Sequence, residues 1–221
     1  MAIKLNGSTS GSVALDAPAD TSPSGTDVTL TLPTSAGSSG QYLQTNGSGT
    51  LSWQTVSSSN LTRVNSQSLS GVSSVLFHTI PAEARVIYLV LDQASAPNGT
   101  SGAFLHIRLG TGSSTDATGI ESTGYQSNGA FINTASSADS FGSTTGFNLD
   151  NADTGNNHSG VITIVNQSGN VWCSSGTTTV NNSGFMNAGR KELSGTLTKV
   201  QFLTTAGNFD NGTVSLLYEV V

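Results

Sequence analysis

The residues able to do chemistry are few. Among 221 residues there are three histidines (His78, His106 and His158), one cysteine (Cys173), 13 Asp and Glu, and seven Lys and Arg. A hydrolytic triad needs a serine beside a histidine that a carboxylate holds in place. Serine is plentiful, but no Gly-x-Ser-x-Gly elbow joins a strand to a helix. His78 and His106 sit in the strand-like runs Phe77-His78-Thr79 and Leu105-His106-Ile107, which direct them to solvent or to a strand neighbour. Glycoside cleavage would use two carboxylates about 5–9 Å apart, for which Asp116/Glu121 or Asp150/Asp153 are the nominees. Both pairs lie among Gly and Thr with no flanking aromatic platform, so they read as turn-forming Asp and solvated Glu. Asn148-Leu149-Asp150-Asn151-Ala152-Asp153-Thr154-Gly155 crowds oxygen ligands as calcium loops do, but it lacks the helix-loop-helix spacing and its terminal bidentate Glu. A turn is the simpler reading, and no metal site is assigned. Cys173 has no partner for an intrachain disulfide; within Val171-Trp172-Cys173 it reads as a buried, inert thiol. No cofactor and no enzymatic activity are implied.

Adhesion is the remaining activity with physical content. A sugar is held by an aromatic face against its C–H patch, flanked by hydrogen-bonding groups. Tyr125, Phe141 and Phe147, with Phe131, lie among Asn, Ser and Thr. Tyr125, Phe141 and Phe147 are the candidate surface-binding residues. The competing reading makes each a small satellite of the core that pins a long loop. Trp53 and Trp172 read as packing residues.

The composition agrees with this shortage of reactive groups. Charged residues are 9% of the chain, whereas 35 Ser and 29 Thr supply most of the polarity; ordinary domains carry roughly 25% charged residues. With a net charge of -6 and seven scattered basic residues, no positive stripe exists for a nucleic-acid backbone. No apolar run approaches the roughly 18 residues of a membrane span, and the start Met1-Ala2-Ile3-Lys4-Leu5-Asn6 lacks the apolar region of a signal peptide. Leu, Ile, Val and Phe total 51, a thin core supply that favours completion by partner chains.

The elements that must position these residues are strands. No stretch holds a 3.6-residue apolar period, while short runs of Val, Ile, Leu, Thr and aromatics alternate with Gly/Asn/Ser/Asp clusters. Strands are expected near 75–80, 85–92, 103–109, 161–166, 170–174, 197–205 and 213–221, with further short ones inside 110–158. Ser168-Gly169-Asn170 marks a turn between strands, and Asp210-Asn211-Gly212 suggests a hairpin pairing Phe202-Leu203 with Val214-Leu216. Residues 1–56 differ in texture. Val13-Ala14-Leu15 and Val28-Thr29-Leu30-Thr31-Leu32 end before prolines, and Gln41-Tyr42-Leu43-Gln44, Asn46-Gly47-Ser48-Gly49 and Leu51-Ser52-Trp53 spell a hairpin. The expected organisation is all-β: a short-stranded segment 1–56, a linker 57–64, and an antiparallel, jelly-roll-like β-sandwich 65–221.

Several of these stretches carry a likeness. Met1-Ala2-Ile3-Lys4-Leu5-Asn6-Gly7-Ser8-Thr9-Ser10-Gly11, Val13-Ala14-Leu15-Asp16-Ala17-Pro18, Val28–Pro33 and Gly40–Trp53 resemble the N-terminal segment of tailed-bacteriophage fibre-like proteins, most of all those of phages of marine cyanobacteria. Ile80–Ile87, Gly119–Tyr125 and Phe209–Tyr218 are similar to parts of C-terminal β-sandwich domains in phage tail-fibre and adhesin-like proteins. The resemblance implies a virion structural protein made in the host cytoplasm, homotrimeric, docked on another virion protein through residues 1–56, with the sandwich turned outward towards host-surface glycan. The absence of an extended shaft leaves a short tail fibre or spike, or alternatively a capsid decoration or head-fibre protein; a polysaccharide-degrading tail spike is the third reading.

Overall fold

β-branched and aromatic runs broken by Gly and Asn turns build strands throughout, as the periodicity requires. The computed structural model describes residues 3–6, 12–15, 18–19, 21–22, 24–56, 60–95, 104–132, 140–151, 157–180 and 183–220. No helix occurs among them. The chain divides into two units, Met1–Ser58 and Ser59–Val221.

In the first unit, β1 (Ile3–Asn6) pairs antiparallel with β2 (Ser12–Leu15), and β3 (Gln41–Thr45) with β4 (Leu51–Thr55). The second pair is the hairpin expected from its turn. Asn46 closes it by accepting the Ser48 and Thr50 N–H groups on Oδ1 at 2.9 and 3.2 Å. Trp53 packs as expected: its ring lies over Gly37, where an added Cβ would approach to 2.6 Å, and its Nε1 donates to the Ser35 carbonyl at 2.8 Å. Val28–Leu32 forms no strand. It runs extended and touches the hairpin through a parallel bridge from Thr31 to Thr50.

The second unit is an antiparallel β-sandwich. Its strands are β5 (Asn60–Ser68), β6 (Ser74–Phe77), β7 (Ala84–Ser95), β8 (Phe104–Gly110), β9 (Tyr125–Ile132), β10 (Ser140–Ser143), β11 (Phe147–Asn151), β12 (His158–Ser168), β13 (Val171–Val180), β14 (Ser183–Glu192), β15 (Lys199–Thr204) and β16 (Asn211–Val220). The large sheet has eight strands in the order β10-β9-β14-β13-β12-β7-β16-β5, and the small sheet four in the order β11-β8-β15-β6. β5 begins at Asn60, so most of the stretch expected to be a linker is an edge strand. The turn expected at Ser168-Gly169-Asn170 joins β12 to β13, which pair as a hairpin. The hairpin expected between Phe202-Leu203 and Val214-Leu216 does not form: β15 joins β6 and β8 in the small sheet, whereas β16 joins β5 and β7 in the large one. The Asp210-Asn211-Gly212 turn therefore carries the chain from one sheet to the other.

Period-two alternation places the core. Ile87, Leu89 and Leu91 of β7, Ile162 and Ile164 of β12, Trp172 of β13 and Leu216 of β16 point inward and meet Leu105, Ile107, Leu109, Val200 and Phe202 of the small sheet. The same alternation puts Cys173 outside. Its thiol is exposed, which corrects the buried placement suggested by its apolar neighbours; Trp172 is the buried member of that run.

Two buried lysines anchor the loop 111–120 and its neighbours. Lys199 is fully buried, and its Nζ donates to Ser114 Oγ at 2.6 Å, to the Asp116 carbonyl at 3.1 Å and to the Thr118 carbonyl. An ammonium held by three oxygens offsets its own desolvation. Lys199→Met keeps the stem but removes these bonds, and should lower stability by about 2 kcal/mol. Hydrogen exchange should accelerate first at Thr111 and Ile120, whose amides close the loop on Gly119 and Ala117; unchanged exchange there would show that the ammonium does not hold the loop.

Candidate functional site

Tyr125 is not a surface residue. It opens β9 with its side chain on the inner face, 1% exposed. The Leu109 N–H donates to its hydroxyl at 2.6 Å, its ring meets Phe147 edge-on with centroids 5.1 Å apart, and the Lys191 ammonium lies 5.3 Å from the ring centre. Burial pushes its phenol well above the ordinary value. Phe147, on β11, is completely buried and fills the space over Gly189, where an added Cβ would come within 2.6 Å of the ring. The alternation of β9 and β11 turns both side chains into the core rather than onto the surface, although Tyr125 still borders the hollow described below. Phe141 differs. It lies on the edge strand β10, half-buried, against Phe131 at 6.3 Å, and Phe131 in turn meets Phe185 at 5.1 Å. This aromatic group packs beside His158 and pins β10 to the sheet.

The carboxylates nominated for glycan cleavage are structural where they are described. Glu121 Oε2 pairs with Lys191 Nζ at 2.6 Å, while Oε1 accepts the Ser194 N–H at 2.8 Å and its hydroxyl at 2.6 Å. Burial pushes the carboxyl up, but Lys191 and Ser194 outweigh it and hold the group below the ordinary range. A general acid needs the opposite shift. Asp116 is exposed and accepts the Thr118 N–H at 3.0 Å in a turn; hydrogen bonds from Ser114 and then Thr118 depress it further. Asp153 and the side chain of Asp150 lie outside the described residues. Of the suggested calcium loop, Asn148–Asn151 is strand, and 152–155 also lie outside the described residues. Among the described residues no cluster of three His, Cys, Asp or Glu could hold a metal ion.

The concave surface lies instead where β9, β10 and β14 run side by side. A hollow of about 720 Å³ is lined by Tyr125 at its base and by Gln126, Asn128, Ser143, Thr144 and Arg190. A second hollow of about 200 Å³ shares Gly142, Ser143 and Thr144 with it and adds Phe104, His106 and Thr145. His106 was expected to face solvent or a strand neighbour; it is 2% exposed and stacks on Phe104 at 5.8 Å. The residues 144–146 cover it, and a Cβ at Gly146 would come within 2.9 Å of the ring. Its Nε2 lies 3.3 Å from Ser143 Oγ, and Nδ1 has no hydrogen-bond partner. Burial, then the positive charge of Arg108, lowers the imidazole to about 4. A serine and a histidine thus meet, but with no carboxylate on Nδ1 to orient and polarise the ring.

No family model, curated protein or solved structure matches the chain.

What the hollow can do follows from its lining. Side-chain amides of Gln126 and Asn128, hydroxyls of Ser143 and Thr144, and the Arg190 guanidinium supply donors and acceptors without a titrating nucleophile. Such a surface suits neutral polyhydroxylated ligands rather than covalent chemistry. Of the lining residues the sequence reading named Tyr125 alone; it missed the polar ones, because Ser, Thr, Asn and Gln are scattered through the whole chain. Only their cross-strand register gathers them: Asn128 opposes Gly142 and Ala188, and Gln126 opposes Arg190.

Proposed function

We propose that the protein is a non-enzymatic structural component of a phage virion, a short tail fibre or spike-like appendage that assembles as a homotrimer through residues 1–56. The sandwich would then face outward for adhesion to host glycan. One observation supports the assembly role above the others. Among the described side chains of Met1–Ser58 none is buried, and Val28, Leu30, Leu32, Tyr42, Leu43 and Val56 are 63%, 59%, 68%, 46%, 41% and 64% exposed. A segment with ordered hairpins and no core of its own is completed by other chains. Equivalent segments of neighbouring copies supply matching apolar edges without added charge. Outward adhesion is consistent with the hollow at β9, β10 and β14, which is lined by amides, hydroxyls and the Arg190 guanidinium.

Purified protein should sediment as a multiple of three chains, and Val28→Glu with Leu30→Glu should abolish the threefold species. An unchanged mass would remove residues 1–56 as the assembly segment. Added in excess, the wild-type protein should slow phage adsorption to its host. Trimers that leave adsorption unaffected would favour the capsid-decoration reading.

A further inference from the structure

The smaller hollow, of about 200 Å³, is bounded by Phe104, His106, Ser143, Thr144 and Thr145. Pockets that enclose whole small molecules run to about 300–1,000 Å³, so the larger hollow has room for sugar rings and the smaller for one substituent. The two share Gly142, Ser143 and Thr144. Gly142 is exposed, opposes Asn128 across the strand pair, and puts no side chain at that border. The hydrogen bonds fix what Ser143 can do. Neutral His106 carries one ring proton, and its buried Nδ1 has no partner. Buried N–H groups are left unpaired more rarely than acceptors, so the proton sits on Nε2 and is donated to Ser143 Oγ, 3.3 Å away. Ser143 Oγ also accepts the Thr145 N–H at 3.2 Å. With both neighbours donating to it, the serine has its own hydrogen to give. Among the described residues its acceptor is Thr145 Oγ1, at a long 3.4 Å.

We propose that the smaller hollow is the subsite for the acetamido group of an N-acetylated sugar, with Ser143 donating to its carbonyl oxygen and His106 positioning Ser143. The inference rests on the adhesion reading and names the class of glycan. A carbonyl oxygen only accepts, and Ser143 is left here with a hydrogen to donate. The acetamido methyl lies against Phe104, which the His106 ring backs at 5.8 Å. Its N–H finds an acceptor in the Thr144 hydroxyl, common to both hollows. A carboxylated substituent fits less well. Arg108, the cation whose charge acts on His106, does not line the hollow and commits its Nε to the Thr145 carbonyl at 2.8 Å. A carboxylate would therefore be desolvated without a charged partner, and a plain hydroxyl would leave the Phe104 face uncovered.

Chitotriose and cellotriose differ only in carrying acetamido or hydroxyl at the second carbon of each ring, and they serve as the probes. In titration calorimetry the full chain should bind chitotriose more tightly than cellotriose by about tenfold or more, the worth of a methyl in a fitted pocket. Ser143→Ala should remove the preference. His106→Leu should remove it too, whereas His106→Gln, whose amide can donate to Ser143, should keep it. Adding His106→Leu to Ser143→Ala should change nothing further, which separates positioning through Ser143 from a general loosening of the fold. Gly142→Leu fills the border between the hollows. A Cβ there meets only the Ser127 carbonyl, at 3.8 Å, so this variant should keep the wild-type Tm and lose chitotriose binding. Equal affinity for the two sugars, or a preference that survives Ser143→Ala, would overturn the inference. If the wild-type protein then still slows phage adsorption and the Gly142→Leu protein does not, adhesion through the hollow stands and only the acetamido assignment falls. Binding of neither sugar, with adsorption unaffected, would overturn both.

Discussion

Tyr125→Ala is expected to remove about 3–5 kcal/mol of stability and to lower Tm by roughly 10 °C. The ring is buried, meets Phe147 edge-on, and lies under the Lys191 ammonium. Truncation opens a cavity that the surrounding strands can only partly close. Tyr125→Phe separates the two contributions. It keeps the ring and the packing, but removes the hydroxyl that accepts the Leu109 N–H at 2.6 Å. A buried amide left without an acceptor costs about 1–3 kcal/mol. Urea unfolding of wild type, Tyr125→Phe and Tyr125→Ala should therefore give a graded series with m-values unchanged. If Tyr125→Ala instead kept wild-type stability and abolished the slowing of phage adsorption, a surface-binding role for this residue would return.

Tyr125 also shows why the site was harder to read than the fold. Aromatics set among Gly, Asn and Ser resemble loop residues, and Gly119–Gly124 before it is loop. What decides its position is alternation with Ser127 and Gly129, which share the inner face of β9. That pattern is faint because two of the three inward positions are small. They must be: Phe185 lies over Gly129, where an added Cβ would come within 2.1 Å of the ring. β14 escaped expectation for the same reason. Ser183–Glu192 offers Gly184, Asn187 and Gly189, poor strand formers, yet it is held between β13 and β9 in continuous register. By contrast, the apolar runs of β7, β8, β12, β15 and β16 were legible, since their cores are built from Val, Ile, Leu and Phe. The failed hairpin at Asp210-Asn211-Gly212 marks the limit of local signals. A turn motif says that the chain reverses; it does not say whether the returning strand pairs in the same sheet.

The buried cations were invisible for a related reason. Lys191 and Lys199 look like surface charges until cross-strand neighbours are known. Lys191 opposes Tyr125 in register and reaches Glu121; Lys199 reaches over its sheet into loop oxygens. In a chain with 9% charged residues, two of its few cations serve as internal fasteners. The scarcity of charge is therefore sharper at the outer surface than composition alone indicates.

His106 makes the second large expectation, an acid-sensitive step in stability. Its imidazole is neutral in the fold, with a value of about 4 against an ordinary value of 6.5. Between these two pH values the unfolded chain binds a proton that the folded chain refuses. Stability is therefore complete above pH 6.5 and falls as pH drops towards 4, by about 3 kcal/mol in total. Glu121 and Asp116, whose values are held below the ordinary carboxylate range, lose their contribution at lower pH, as they become protonated. His106→Gln retains an amide able to bond Ser143 and cannot titrate. At pH 7.5 it should be less stable than wild type, by about 1 kcal/mol. At pH 4.5 the order should reverse, because the variant is spared the proton-linked loss. The difference between the two unfolding free energies, followed from pH 7.5 to 4.5, isolates this one group, since the carboxylates contribute equally to both chains. Parallel curves across that range would show that the covering residues 144–146 admit water to the ring, and that His106 is not held neutral by its burial.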